Sequence, residues 1–279
     1  MKIHPFISFA TLAFTALTFQ ASAGQPVTIT SKNPTPVADY EGGRGLLTLE
    51  GPSGLFINPT SGTLPAHAFT AQYCFLLPNN DTSPVMAHGA MIAYGVTDWL
   101  ELGAMITIFD FDQDVPALRR QSDTFGAGPL VRVRLHKQEG LIPQISIGGY
   151  FRFGDFEQYN VFLAAYERFE ISQNGFLRSV GLHAGIREKW VTKGVTGNTN
   201  ADGSDAPVGY FGLEFQLPAR FYVVGEISTQ DRDSGGSHMP YAAGVQWRAG
   251  GINVSAAFLD NGSFKNGSFF FGIGSQLKF

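Results

Sequence analysis

The sequence predicts an all-β protein: an antiparallel transmembrane β-barrel of about 12 strands with an N-terminal extended segment, periplasmic or folded as a plug. Three observations predict it. From Ala66 onward nearly every segment alternates apolar with small or polar residues, the period of two expected of a half-buried strand. The connectors between these segments alternate short and long. The composition is aromatic and rich in glycine, with 34 Gly, 25 Phe and 9 Tyr against 15% charged residues, well away from an average soluble domain.

The first residues read as an export leader. Lys2 precedes an apolar run from Pro5 to Phe19, and Ala21-Ser22-Ala23 has the small-x-small form of a cleavage site, which sets residues 1–23 aside. The run is shorter than the roughly 20 apolar residues needed to span a bilayer as a helix. Cleavage leaves 279 − 23 = 256 residues. No later stretch holds 18 apolar residues in a row, so insertion into lipid after export requires strands closed on themselves.

Residues 24–65 lack the strand rhythm, and residues 66–279 carry it throughout. Turn signals divide the second region into strands at 66–77, 85–95, 99–109, 125–136, 143–153, 159–171, 177–190, 208–217, 221–228, 239–248, 252–259 and 268–279. Their faces are distinct. In the last strand Phe269, Phe271, Ile273, Leu277 and Phe279 oppose Ser268, Gly272, Gly274, Gln276 and Lys278. In the third, Leu100, Leu102, Ala104, Ile106 and Ile108 oppose Glu101, Gly103 and Thr107.

Alternation alone does not say whether the apolar face looks inward, as in a soluble sandwich, or outward to lipid. The connectors decide. Residues 96–98, 137–142, 172–176, 218–220 and 249–251 make short turns, whereas 78–84, 110–124, 154–158, 191–207, 229–238 and 260–267 are mostly longer and polar. Short turns on one rim and long loops on the other describe an outer-membrane barrel with its short rim in the periplasm. An even strand count returns the chain to that rim, and a last strand ending in Phe279 resembles the signal read by the barrel assembly machinery, an expected partner alongside outer-membrane lipid. Aromatic girdles are expected at Trp99, Trp247, Phe176 and Phe221 near the short turns and at Phe109, Phe153 and Trp190 near the long loops.

The formal charge of −4 and the lack of a basic stripe exclude nucleic acid as a partner. The single cysteine, Cys74, has no internal disulfide partner and reads as a small strand residue.

Within 24–65, Pro26, Pro34 and Pro36 suggest an extended tail. Gly42-Gly43-Arg44-Gly45 follows, and then Gly54-Leu55-Phe56-Ile57-Asn58-Pro59-Thr60-Ser61-Gly62-Thr63-Leu64-Pro65 leads into the first strand. The spacing Gly-Leu-x-x-x-Pro-Thr-x-x-x-x-Pro before a strand resembles the start of the barrel domain in the YjbH family, outer-membrane barrels associated with exopolysaccharide export. Ala66-His67 stands where that family often places a glycine. The resemblance implies an accessory role in moving glycan. The residues alone equally suit Gly-rich turns that fold the segment into the barrel mouth, with Pro59 and Pro65 preventing a strand edge.

If the apolar faces meet lipid, the opposite faces bring Arg132, Arg134, His136, Arg152, Arg187, Glu214, Glu226 and Arg248 to the lumen, together with His183, Lys189, Lys278, Glu101, Gln144, Gln216 and Gln246. Arg and Lys outnumber Glu seven to three in this set, so a water-filled lumen favours an anionic solute or glycan. Alternatively these side chains pair and fill a narrow barrel. Inward glycines, among them Gly126, Gly128, Gly148, Gly181, Gly185 and Gly212, suggest either open volume or a plug against the wall.

The expected function is a non-enzymatic channel or accessory for transport or export of polar solutes or exopolysaccharide. The alternatives are a closed structural or adhesion-type barrel and an outer-membrane lipid hydrolase. For the last, Ser237-His238 is the candidate pair, but neighbours on a strand point to opposite faces, and nucleophilic catalysis needs base and hydroxyl in contact. No cofactor, metal cluster or phosphate loop is signalled. The acidic run Asp110-Phe111-Asp112-Gln113-Asp114 reads as a solvated loop, with divalent-ion binding as the alternative.

Overall fold

A computed structural model describes residues 35–36, 47–48, 53–78, 85–111, 123–172, 174–193, 207–230, 238–249, 251–262 and 267–278. The leader, most of 24–52, Ser237, residues 112–114 and Phe279 lie outside the described residues.

Twelve strands form one antiparallel meander: β2 (Ala68–Pro78), β3 (Val85–Gly95), β4 (Leu100–Phe111), β5 (Thr124–His136), β6 (Gln144–Gly154), β7 (Glu157–Glu170), β8 (Ser179–Lys193), β9 (Val208–Gln216), β10 (Phe221–Ser228), β11 (Tyr241–Ala249), β12 (Ile252–Asp260) and β13 (Ser268–Lys278). Each pairs with its neighbour in sequence. β13 then pairs with β2, from Ser268↔Pro78 to Lys278↔Ala68, and the sheet closes. Closure gives every barrel strand a neighbour on both sides and leaves only strand ends at the rims to be covered otherwise.

A two-residue strand, β1 (Thr35–Pro36), pairs with Leu277 and Lys278 of β13. Its reason is local. β12 begins at Ile252, opposite Ser275, so the end of β13 runs past its neighbour and leaves backbone groups for β1 to cover. The prolines of this region conceal that contact from a reading of sequence pattern.

The exposure pattern is inverted relative to a soluble protein. Outward positions are apolar and open, with Ile273 at 55% and Val245 at 48%, while inward Arg132 and Glu101 are fully covered at 0%. Leu102, Ile147, Leu163, Val223 and Val254 continue the apolar surface around the circumference. A continuous apolar band of this extent is far larger than soluble monomers present to water. It identifies the wall of a transmembrane barrel.

The short connections are 96–99, 137–143, 171–178, 217–220 and the turn at Gly251, whose φ of 82° suits glycine. Trp99, Phe176, Phe221 and Trp247 lie exposed on this rim, and Phe153 lies exposed at the other. Phe109 departs from the expected girdle. It shares the parity of Glu101 and Thr107, so it turns inward and packs edge-on against Phe156 with ring centroids 5.4 Å apart.

Inward glycines make room for aromatic rings of the wall itself. A Cβ on Gly126 meets Phe156 at 2.6 Å, one on Gly148 meets Phe162 at 2.5 Å, and one on Gly185 meets Tyr210 at 2.2 Å. Much of the volume these glycines suggest is therefore filled. Gly126→Val is expected to destabilise the barrel by about 1–3 kcal/mol through overpacking against Phe156, measured by urea unfolding in lipid vesicles.

Candidate functional site: the plugged interior

Every residue from Ser53 to Leu64 is buried. This segment runs inside the barrel as a plug and leaves it at Pro65, where the His67 amide donates to Gly95 O at 2.8 Å. Its tip is a tight turn. Gly54 bridges to Pro59, and the Leu55 amide donates to Asn58 O at 3.0 Å. A Cβ on Gly54 would lie 2.2 Å from Asn58 O, so only glycine permits this close approach.

The wall holds the plug through its own polar side chains. On β10, one carboxylate oxygen of Glu226 accepts from the amides of Phe56 at 2.7 Å and Ile57 at 2.6 Å, and the other accepts from the Asn58 amide at 3.2 Å and Asn58 Nδ2 at 2.8 Å. Arg187 on β8 donates from Nε to Asn58 Oδ1 at 3.0 Å. Tyr210 on β9 donates to Pro59 O at 2.8 Å, and Gln246 on β11 to Leu55 O at 2.9 Å.

The stem of the plug lies against β4 to β6. Arg132 donates from Nη2 to Ser53 O at 2.8 Å and from Nη1 to Gly62 O. Gln144 Nε2 and Ser146 Oγ both donate to Ser61 O, at 2.7 and 2.5 Å, and Glu101 Oε2 accepts from the Leu64 amide at 2.9 Å. Buried polar groups without such partners would each cost about 1–3 kcal/mol. Backbone groups along the plug are thus partnered by inward side chains of the wall.

Apolar contacts complete the fit. Phe56 meets Phe270 of β13 edge-on at 5.8 Å, and a Cβ on Gly212 of β9 would meet Leu55 at 2.5 Å. The tip therefore touches strands four positions apart around the barrel.

A second polar cluster lies at the short-turn half of β7 to β11. Arg248 donates to Glu214 at 2.5 Å, with both side chains almost fully buried, and it also donates to Gln246 Oε1. Its guanidinium lies 4.2 Å from the Tyr222 ring centre, and Tyr166 donates to Glu214 at 3.4 Å. Elsewhere on the wall Arg152 donates to Gln158 at 3.2 Å and stacks 4.7 Å from the Tyr150 ring centre.

Of the eight residues read from the sequence as lumen-lining, Arg132, Arg187 and Glu226 grip the plug, Glu214 and Arg248 pair with each other, and Arg152 is buried in the wall. Arg134 is half-buried near the short-turn rim. His136 is corrected. A β-bulge between Arg134 and His136 shifts the register, so Arg134 pairs with inward Ser146 but His136 pairs with Ile145 of the outward row. Its Nδ1 lies 3.1 Å from Pro143 O at the rim.

Asn58, Tyr210 and Ser146 also belong to the site. Strand parity places Tyr210 and Ser146 inward, but nothing local marks them as contacts to a segment some 85 to 151 positions earlier. Of the candidate hydrolytic pair, His238 is held by Asp260 with Nε2 to Oδ1 at 2.8 Å, and Ser237 lies outside the described residues.

No protein-family model and no curated protein matches the chain. Among solved structures it is similar to the KdgM porin in complex with disordered oligogalacturonate, at 9% identity over 76% of this chain and 99% of that one, with a TM-score of 0.48. It is also similar to Acinetobacter baumannii Omp33, at 8% identity over 78% and 100% with a TM-score of 0.46. Escherichia coli outer membrane phospholipase A follows at 7% identity, 78% and 98% coverage, and a TM-score of 0.40. At this distance no residue role passes from them to this chain.

Proposed function

We propose that this chain is an exported, non-enzymatic barrel of the bacterial outer membrane that acts as a plugged channel for a polar or anionic solute. Export of an exopolysaccharide is the role that the YjbH-like motif Gly54 to Pro65 suggests. The observation that carries the reading is the polar attachment of the plug: Glu226, Arg187, Arg132, Gln144, Ser146, Tyr210 and Gln246 all bond to it. Such contacts exchange for water at a net cost of about 1 kcal/mol each, so the wall stays solvated when the plug withdraws. With the plug out, inward Arg132, Arg152, Arg187 and Lys189 favour anions.

The test is conductance in planar bilayers. The full chain is expected to be closed most of the time, and a variant lacking residues 53–65 to give stable ohmic steps with a reversal potential favouring anions. Heat-modifiable migration in a gel verifies that the variant is folded. The filling of Gly126, Gly148 and Gly185 by Phe156, Phe162 and Tyr210 favours a second reading, a closed structural barrel. A folded but silent deletion variant supports that one instead.

A further inference from the structure

We infer that the plug tip is an anion-binding site held shut by the barrel's own Glu226, and that a carboxylate or phosphate group on the solute releases it by taking Glu226's place. The inference rests on the plugged-channel reading and names what opens the channel.

Three successive amides, those of Phe56, Ile57 and Asn58, converge on one carboxylate, and the Asn58 side-chain amide adds a fourth donor. Consecutive backbone N–H groups aimed at one point form an anion cradle whatever chain supplies the anion. Here β10 supplies it. The same four donors fit a free carboxylate or one edge of a phosphate, so exchange costs no class of hydrogen bond.

Burial sharpens this preference for charge. The Glu226 side chain is almost completely enclosed, and Phe56 to Asn58 are buried with it. Donors desolvated in this way need an acceptor, and a charged one binds most strongly. A neutral sugar hydroxyl offers a weaker substitute. Surrounding charge points the same way: Arg187 reaches Asn58 Oδ1 at 3.0 Å, and Arg132 holds the backbone on the far side of the turn at Ser53. An anion entering among these groups meets a cradle that stays bound to Arg187 through Asn58. The wall strand β10 loses its grip.

Glu226 is thus both latch and mimic of the solute. Removing its charge loosens the latch, and a second carboxylate at Asn58 repels it. Glu226→Gln keeps the shape with one acceptor oxygen fewer, and Asn58→Asp puts like charges face to face where Nδ2 now donates.

The experiment records open probability of the full chain in planar bilayers at fixed ionic strength, with sodium glucuronate, inorganic phosphate or glucose added. Glucuronate and phosphate are expected to raise it about tenfold, the effect of losing one charge-assisted hydrogen bond, and glucose to leave it unchanged. Glu226→Gln and Asn58→Asp are each expected to be open without added anion and to have lost the response. If the anions and glucose act alike, or both variants stay shut, the inference is overturned. The variant lacking residues 53–65 separates the two failures: if it conducts while the anions do nothing, only the latch is wrong, and if it is silent the channel itself is.

Discussion

Arg248→Ala is expected to lower the unfolding free energy of the barrel by about 3–5 kcal/mol, because it strands the Glu214 carboxylate without its partner. The pair is almost completely enclosed, at 2.5 Å, and Arg168, another guanidinium acting on Glu214, makes its hydrogen bond to Gln216 instead. Tyr166 reaches Glu214 only at 3.4 Å, and His183 Nε2 lies 3.9 Å away. Removing both charges is a different matter. Arg248→Met with Glu214→Leu is expected to fall within about 1 kcal/mol of the parent, since buried ion pairs and apolar replacements of like volume are often nearly equivalent. Urea unfolding in lipid vesicles supplies the double-mutant cycle. Additive losses from the two single changes would show that the pair is not coupled.

Leu163→Arg is expected to cost about 2–4 kcal/mol in a bilayer, as an arginine placed near the midplane on the lipid side. Leu163 lies midway along β7 (Glu157–Glu170), faces outward, and is 43% exposed. Ile171, one residue beyond the end of that strand, is 57% exposed at the short-turn rim. There Ile171→Arg is expected to cost about 0–1 kcal/mol, because a rim arginine reaches water and headgroups. The contrast between the two positions is the test of depth. On a wall facing water, both changes would stay within about 0.5 kcal/mol, as surface substitutions usually do.

Much of this architecture was legible in the chain. Side chains of a strand alternate with a strict period of two, so Leu100, Leu102 and Ile106 had to share a face, with Glu101 and Thr107 on the other. Turn residues delimited the strands, and the register of neighbours follows from antiparallel hairpins. The observed strand ends differ from the expected ones by no more than three residues, as where β8 continues to Lys193 rather than Trp190.

Parity has limits that one bulge exposes. An extra residue near Leu135 moves His136 into the row of Ile145, and no local residue type announces it. Phe109 shows the opposite error, where nearness to a strand end suggested a girdle and the alternation of its own strand placed it inward.

By itself, then, the sequence determined that the chain makes strands, how many close the barrel, where those turn, and which face of each is apolar, because all of these depend on residues close together along the chain. Only the tertiary structure decided what fills the interior. Whether Arg132 meets water, a carboxylate or the carbonyls of Ser53 and Gly62 depends on the path of a segment about 70 to 79 residues earlier. The grip of Glu226 on Phe56, Ile57 and Asn58 spans about 170. Backbone amides look the same in every sequence, so a site built from them appears only when the fold has turned them to one point.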